Sequence, residues 1–190
     1  MKERLTQILS LRQKRRIVDN SRVPAAVLAP IYYKQGQYYI LFTKRTEKVK
    51  EHKGQISFPG GAYQDSDETL QVTALRESTE EIGLIAEDVD VLGELDDELS
   101  LASNYVISPF VGLIPWPYEF RLNSYETDEI FGAPISALLH ENCLNKDTET
   151  LDGTVANSYT YHYEDKVIWG ATARILNNFL DIFSRAMPNR

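Results

Sequence analysis

The chain has no apolar run approaching the ~20 residues that cross a bilayer, and its 190 residues include one cysteine, three histidines and two methionines. The missing run argues against a membrane span, and no signal-peptide core is present. Cys143 alone cannot build an internal disulfide and reads as a passive thiol, which fits a reducing, cytoplasmic setting. His140 and His162 stand isolated, so neither looks like a metal ligand. Basic residues are also in deficit: 20 Lys and Arg against 28 Asp and Glu leave a formal net charge of −8. Nucleic acids and acidic membranes recruit proteins through basic surface, so neither is expected as a partner, and any grip on phosphate must come from a local patch. No internal repeat or low-complexity linker divides the chain. With 43% hydrophobic residues, residues 1–190 read as one domain with room for a core. A homodimer is left open.

What the chain does have is acid gathered in one place. Glu77, Glu80 and Glu81 are spaced i, i+3, i+4, which puts all of them on one face of a helix. Like charges so placed repel, and Arg76, four residues before Glu80, balances only part of them. A hard divalent cation completes the arrangement, because carboxylate oxygens suit magnesium, manganese or calcium. Val72, Leu75, Thr79 and Ile82 form the opposite stripe, expected to anchor the helix to a core. Gly83 is a stop signal, and Asp65, Ser66, Asp67 and Glu68 crowd the start, where acceptors and negative charge suit the exposed amides. Pro59-Gly60-Gly61 favours a loop before them.

Arg76-Glu77-Ser78-Thr79-Glu80-Glu81-Ile82-Gly83-Leu84 resembles the core of the Nudix box, G-x5-E-x7-R-E-U-x-E-E-x-G-U, with U a bulky aliphatic residue. Two departures show. Ser78 stands where the family usually has an aliphatic residue, facing Ala74 one turn back. One extra residue between Gly61 and Arg76 leaves Asp67 or Glu68 in the place of the early glutamate. Neither change touches Glu77, Glu80 or Glu81, which match the family's metal-holding glutamates, and the resemblance adds Gly61 as a backbone-carbonyl ligand.

In chain order, Met1 to Arg16 sets basic residues around Leu5, Ile8, Leu9 and Leu11; it reads as a peripheral helix within the first 20 residues, with an organellar targeting helix as the alternative. Val23 to Tyr33 and Gln37 to Thr43 read as strands of a hairpin, the first trimmed or interrupted by Pro24 and Pro30. Lys44, Arg45, Lys48, Lys50, His52 and Lys53 then form a positive arm beside the acidic helix, suited to a phosphate-bearing substrate; a solvated loop is the plainer reading. Leu41 to Gly61 resembles the signature L-[LF]-T-x-R-[ST]-x5-H-x-G-x3-F-P-G-G of the coenzyme A pyrophosphatase branch, with Thr43, Arg45, Thr46, His52, Gly54 and Phe58 in register. Lys50 replaces an arginine usual in that branch, and the longer spacing after Gly61 is typical of it.

Downstream, Val89 to Leu99 and Tyr105 to Ile114 read as strands. Glu126 to Phe131 leads into Ala133-Pro134-Ile135 and a short apolar helix, Ser136 to His140. Ser158 to Tyr163 alternates like a strand, and a final helix carries Leu176, Phe179, Leu180 and Phe183 on one face. Trp169, in a Trp-Gly-x-Thr-Ala run that also resembles the branch, reads as core, with a pocket wall as the alternative.

The resemblance implies an α/β/α sandwich with a mixed central sheet and hydrolysis of a diphosphate bond, for coenzyme A or acyl-CoA releasing 3′,5′-ADP and (acyl-)4′-phosphopantetheine. It implies Mg2+ or Mn2+ held by Glu77, Glu80, Glu81 and Gly61. Glu81 or Glu126 is the expected base, with Arg76 and Glu80 as further catalytic candidates and Lys44, Arg45, His52 and Phe58 on the substrate. Asp67, Glu68 and Glu129 are the remaining candidates. The alternatives are another nucleoside diphosphate derivative, such as ADP-ribose, NADH or a dinucleoside polyphosphate, and a non-catalytic Nudix-like sensor.

Overall fold

Strand β1 (Val23–Lys34) is apolar along most of its length because both of its faces are covered. Ala26, Leu28 and Tyr32 enter one hydrophobic cluster, while Ala29 and Ile31 enter the other. A computed structural model describes residues 1–48, 53–100, 103–151 and 154–187. Around β1 it places β2 (Gln37–Arg45), β3 (Ile56–Ser57), β4 (Gly60–Ala62), β5 (Asp90–Glu94), β6 (Glu98–Leu99), β7 (Tyr105–Leu113) and β8 (Thr127–Pro134). The sheet runs β3-β2-β1-β7-β5, with β4 on β1, β6 on β7 and β8 on β2. Among the described residues only β1 and β7 pair in parallel, so the sheet is mixed.

Helix α2 (Leu70–Ile82) covers one face, packed on β1 and β4. On the other face lie α1 (Lys2–Leu11), against β5, and α4 (Gly170–Ala186). These layers make the expected α/β/α sandwich. α3 (Ile135–Leu138) follows β8, and β9 (Leu144–Leu151), β10 (Thr154–Tyr163) and β11 (Lys166–Ile168) form a separate antiparallel sheet on which α4 rests.

Several expectations are corrected. Pro24 and Pro30 do not break β1. Leu28 N–H, of the same strand parity, donates to Pro59 O on the β4 side. Both prolines therefore turn their missing donor toward that edge, just outside the Ala25–Val27 pairing with β4 and before the Ile31–Lys34 pairing with β2. The strand expected over 89–99 is two strands, interrupted at Leu95–Asp97, and residues 127–134 and 144–151 are strands not foreseen. α1 stops at Leu11, and the basic residues after it are engaged: Arg12 pairs with Asp96, Lys14 with Glu94 and Asp97 at 2.7 and 2.8 Å, and Arg15 with Glu98 at 3.0 Å. Leu5 and Leu9 are buried in the main core.

Candidate active site

The helix that carries the acids is set by its ends. Thr69 is its N-cap, its hydroxyl accepting from Val72 N–H at 3.2 Å, and Gly83 closes it at φ 68 with its N–H donated to Thr79 O. Of the expected Val72, Leu75, Thr79 and Ile82 stripe, Ile82 is buried and Leu75 packs on the core, but Val72 and Thr79 face out. Ala74, Ser78 and Ile82 are fully buried together with Thr73 and Glu81, whereas Val72 is 39% exposed. α2 lies close on β1 and on the glycines of β4, so small side chains make the contact. Ser78 satisfies its hydroxyl by donating to Ala74 O at 2.7 Å.

Asp67, rather than Glu68, takes the inward position left open by the sequence. Arg76 Nε and Nη2 donate to its two oxygens at 2.9 and 3.0 Å, and Thr73 Oγ1 and Gln64 N–H donate at 2.9 and 3.1 Å. Foremost the hydrogen bonds from Arg76 hold the Asp67 carboxyl down at about 2. Glu68 is exposed. Arg76 Nη1 also donates to Glu77 Oε1 at 2.6 Å and to both Glu80 oxygens at 3.3 Å, and Nη2 to Ala62 O at 3.1 Å. All those donors are engaged by the protein, which gives Arg76 the geometry of a clasp on Asp67, Glu77 and Glu80.

A cleft of about 440 Å³ gathers Glu77, Glu81, Glu126, Arg45, Gly60 and Gly61. Glu81 is 3% exposed, and its contacts are loose: Arg45 Nη1 lies 3.5 Å from Oε1 and Gly60 N–H 3.4 Å from Oε2. Burial, reinforced by Glu77 and Glu126 against the opposing pull of Arg45, pushes Glu81 up to about 8. Burial likewise raises Glu77. Arg45 Nε is buried without a hydrogen-bond partner among the described residues.

Glu80 is half exposed and does not line the cleft, so two of the three expected glutamates converge there, with Glu126. Glu129 is drawn away by Lys166 at 2.8 Å, and Lys44 lies outside the cleft, 4.0 Å from Asp128. Phe58 lines the cleft while stacking on Phe42 in the core. His52 and Lys50 lie outside the described residues. Sequence reasoning missed Ser57, Ser103, Tyr105 and Thr172 as lining residues, and Trp169 is a wall of the cleft rather than core.

Among the described residues no three acidic, histidine or cysteine side chains close around one point. The donor set nonetheless fits a hard cation that shares its shell with water and phosphate. It is all oxygen, and Glu77 presses against the main chain at Gly61 so closely that a Cβ there would lie 2.5 Å from the Glu77 carboxyl carbon. Gly61→Ala is therefore expected to displace Glu77 and lower kcat by about 10-fold or more with little change in Tm. Steady-state kinetics beside thermal melting checks this.

Carboxylates and a guanidinium around a cleft, on an α/β/α sandwich, define an enzyme equipped for anionic, phosphate-bearing substrates. The NUDIX domain model matches residues 22–144, and the chain belongs to the Nudix family. It is 36% identical over 163 residues to the uncharacterised Nudix hydrolase NudL of Photorhabdus laumondii, covering 86% of each chain. It is equally identical over 154 residues to that of Yersinia pestis, covering 81% of this chain and 76% of that one. A MutT/nudix family protein from Enterococcus faecalis shares the fold, with a TM-score of 0.57 and 15% identity over 98% of this chain and 69% of that one. The protein is thus a Nudix hydrolase of pyrophosphate bonds in nucleoside diphosphate derivatives, a family that generally uses divalent metals. No helix among the described residues is long and apolar enough to cross a membrane.

Proposed function

We propose that the protein hydrolyses the diphosphate of coenzyme A and acyl-CoA, giving 3′,5′-ADP and (acyl-)4′-phosphopantetheine, with Mg2+ or Mn2+ and in the cytoplasm. The observation that carries this reading is that Arg45 and Phe58, from the stretch resembling the coenzyme A pyrophosphatase signature, line the same cleft as Glu77, Glu81 and Glu126. Glu77 and Glu81, with the Gly61 carbonyl and Glu80 at the rim, are the residues to hold the metal. A divalent cation held there would neutralise the diphosphate and acidify a water. Glu81 or Glu126 would accept the proton of the attacking water, Arg45 offers the exposed part of its guanidinium to a phosphate oxygen, and Arg76 keeps Glu77 in place. Positioning and electrostatics carry the rate.

The test is product analysis with Mg2+ or Mn2+ and a panel of CoA, acetyl-CoA, dephospho-CoA, ADP-ribose, NADH and a diadenosine polyphosphate. Dominant 3′,5′-ADP from CoA is the expected result. Preferred cleavage of ADP-ribose or a dinucleotide would remove the branch assignment and leave the hydrolase in place. Binding without turnover would favour the sensor.

A further inference from the structure

The cleft does not end at the acids. On its sheet wall, Gly60 pairs with Val27 while Tyr105 pairs with Val23, four residues farther along β1. At the rise of a strand this separates Tyr105 from the acidic end by about 13 Å. α4 supplies the other wall with Trp169, Gly170, Ala171 and Thr172. Arg174 moors that turn to the Tyr105 side, donating from Nε to Glu98 Oε2 at 3.0 Å and from Nη2 to Leu99 O at 2.8 Å. Ser100, whose N–H donates to Tyr105 O, adds its hydroxyl, 2.5 Å from that of Ser103.

Trp169 is the unusual member of this wall. It is 48% exposed, and its ring stacks on no other aromatic ring among the described residues. The other tryptophan, Trp116, stacks on Tyr32 with centroids 4.2 Å apart. Next to Trp169, Gly170 holds φ +64 where the chain turns into α4, and a Cβ built there would meet nothing within 4 Å. A large, unstacked π face thus lines the same cleft as the acids. An aromatic face is what a flat heterocycle stacks on, and hydroxyl groups suit a ribose and a base edge.

We propose that Trp169 is the stacking platform for the substrate's nucleobase. The proposal rests on the reading of this cleft as a nucleoside diphosphate hydrolase site, but not on which such derivative is cleaved. The diphosphate lies among the acids and Arg45, and the nucleoside reaches the α4 wall at Trp169, so the other half of the substrate leaves the cleft by another direction.

The experiment uses the full-length Trp116→Phe protein, which leaves Trp169 as the sole tryptophan. Its fluorescence is titrated with 5′-AMP, adenosine 3′,5′-bisphosphate and 4′-phosphopantetheine, and hydrolysis is followed in parallel. Saturable quenching by the two nucleotides and none by phosphopantetheine is expected. In the otherwise unaltered enzyme, Trp169→Leu should raise KM by about 10-fold with kcat largely kept, and Trp169→Phe should recover most of the loss. Quenching by phosphopantetheine alone would overturn the proposal by assigning this end to the other half of the substrate. Absence of quenching by any probe in a protein that still cleaves CoA would also overturn it, while leaving the activity intact. Loss of all hydrolysis in Trp116→Phe and wild type alike would instead remove the hydrolase reading itself.

Discussion

Replacing Glu81 with glutamine is expected to lower kcat by about 10³-fold, the scale of losing a metal-assisting or proton-accepting carboxylate, in a chain that still folds. The second half of the expectation is what makes the first informative. Glu81 is 3% exposed and, among the described residues, meets an Arg45 nitrogen and the Gly60 amide at 3.5 and 3.4 Å. A buried carboxylate with such loose partners gains little stability from its charge. Glutamine keeps its shape and discards that charge, so without metal the variant should melt no lower than wild type. It should also respond less to added Mg2+ or Mn2+, because a ligand stabilises a fold only in proportion to its binding. Melting curves with chelator and with metal, beside kcat, check both parts. Near-normal turnover in the folded variant would remove Glu81 from the mechanism.

The second large effect is expected at Arg76. Arg76→Ala leaves Asp67 buried without its cation and releases Glu77 and Glu80, so a loss of roughly 3–5 kcal/mol in unfolding free energy is expected together with a fall in kcat. Arg76→Lys keeps the charge but not the fork that meets both Asp67 oxygens, and should lie between wild type and alanine. Denaturant titration measures the ranking; an alanine variant as stable as wild type would refute the clasp. The pair also sets an acid limit. Asp67 is held at about 2, below the 3.8 of an ordinary aspartate, so the folded chain binds fewer protons there than the unfolded one. Its contribution is present above about pH 4 and is lost as pH falls through about 2. Asp67→Asn should remove that part of the acid sensitivity, read as a flatter Tm profile between pH 4 and 2.

The helix with the acids was legible because it carries its own punctuation: Gly83 after the last turn and a motif whose spacing fits one helical face. The hairpin of β1 and β2 was legible for a similar reason, with Lys34-Gln35-Gly36 between two strongly apolar stretches. What was not legible was decided by neighbours. Val72 looks like part of the anchoring stripe, but a helix set close on the glycines of β4 selects Ala74 and Ser78 instead, beside Leu75 and Ile82. β9, LNKDTETL, carries no alternating apolar pattern to announce it, because an outer strand of a small sheet can be polar on both faces. Glu80 is indistinguishable from Glu77 and Glu81 by spacing alone. The guanidinium of Arg76 holds it at the rim. Trp169 looked like core because large aromatics usually are; its place on the cleft depends on where α4 docks, which no local pattern encodes.

The family match begins at residue 22 and ends at residue 144, yet Leu5 and Leu9 of α1 and the buried face of α4 belong to the main hydrophobic cluster. The inherited catalytic module and the cooperative folding unit therefore do not coincide. A fragment trimmed to the recognisable module would keep Glu77, Glu81 and Glu126 but bare one whole face of its sheet and lose the α4 wall of the cleft. On this architecture the flanking helices are the least recognisable part of the chain, and the lid without which the recognisable part has no interior.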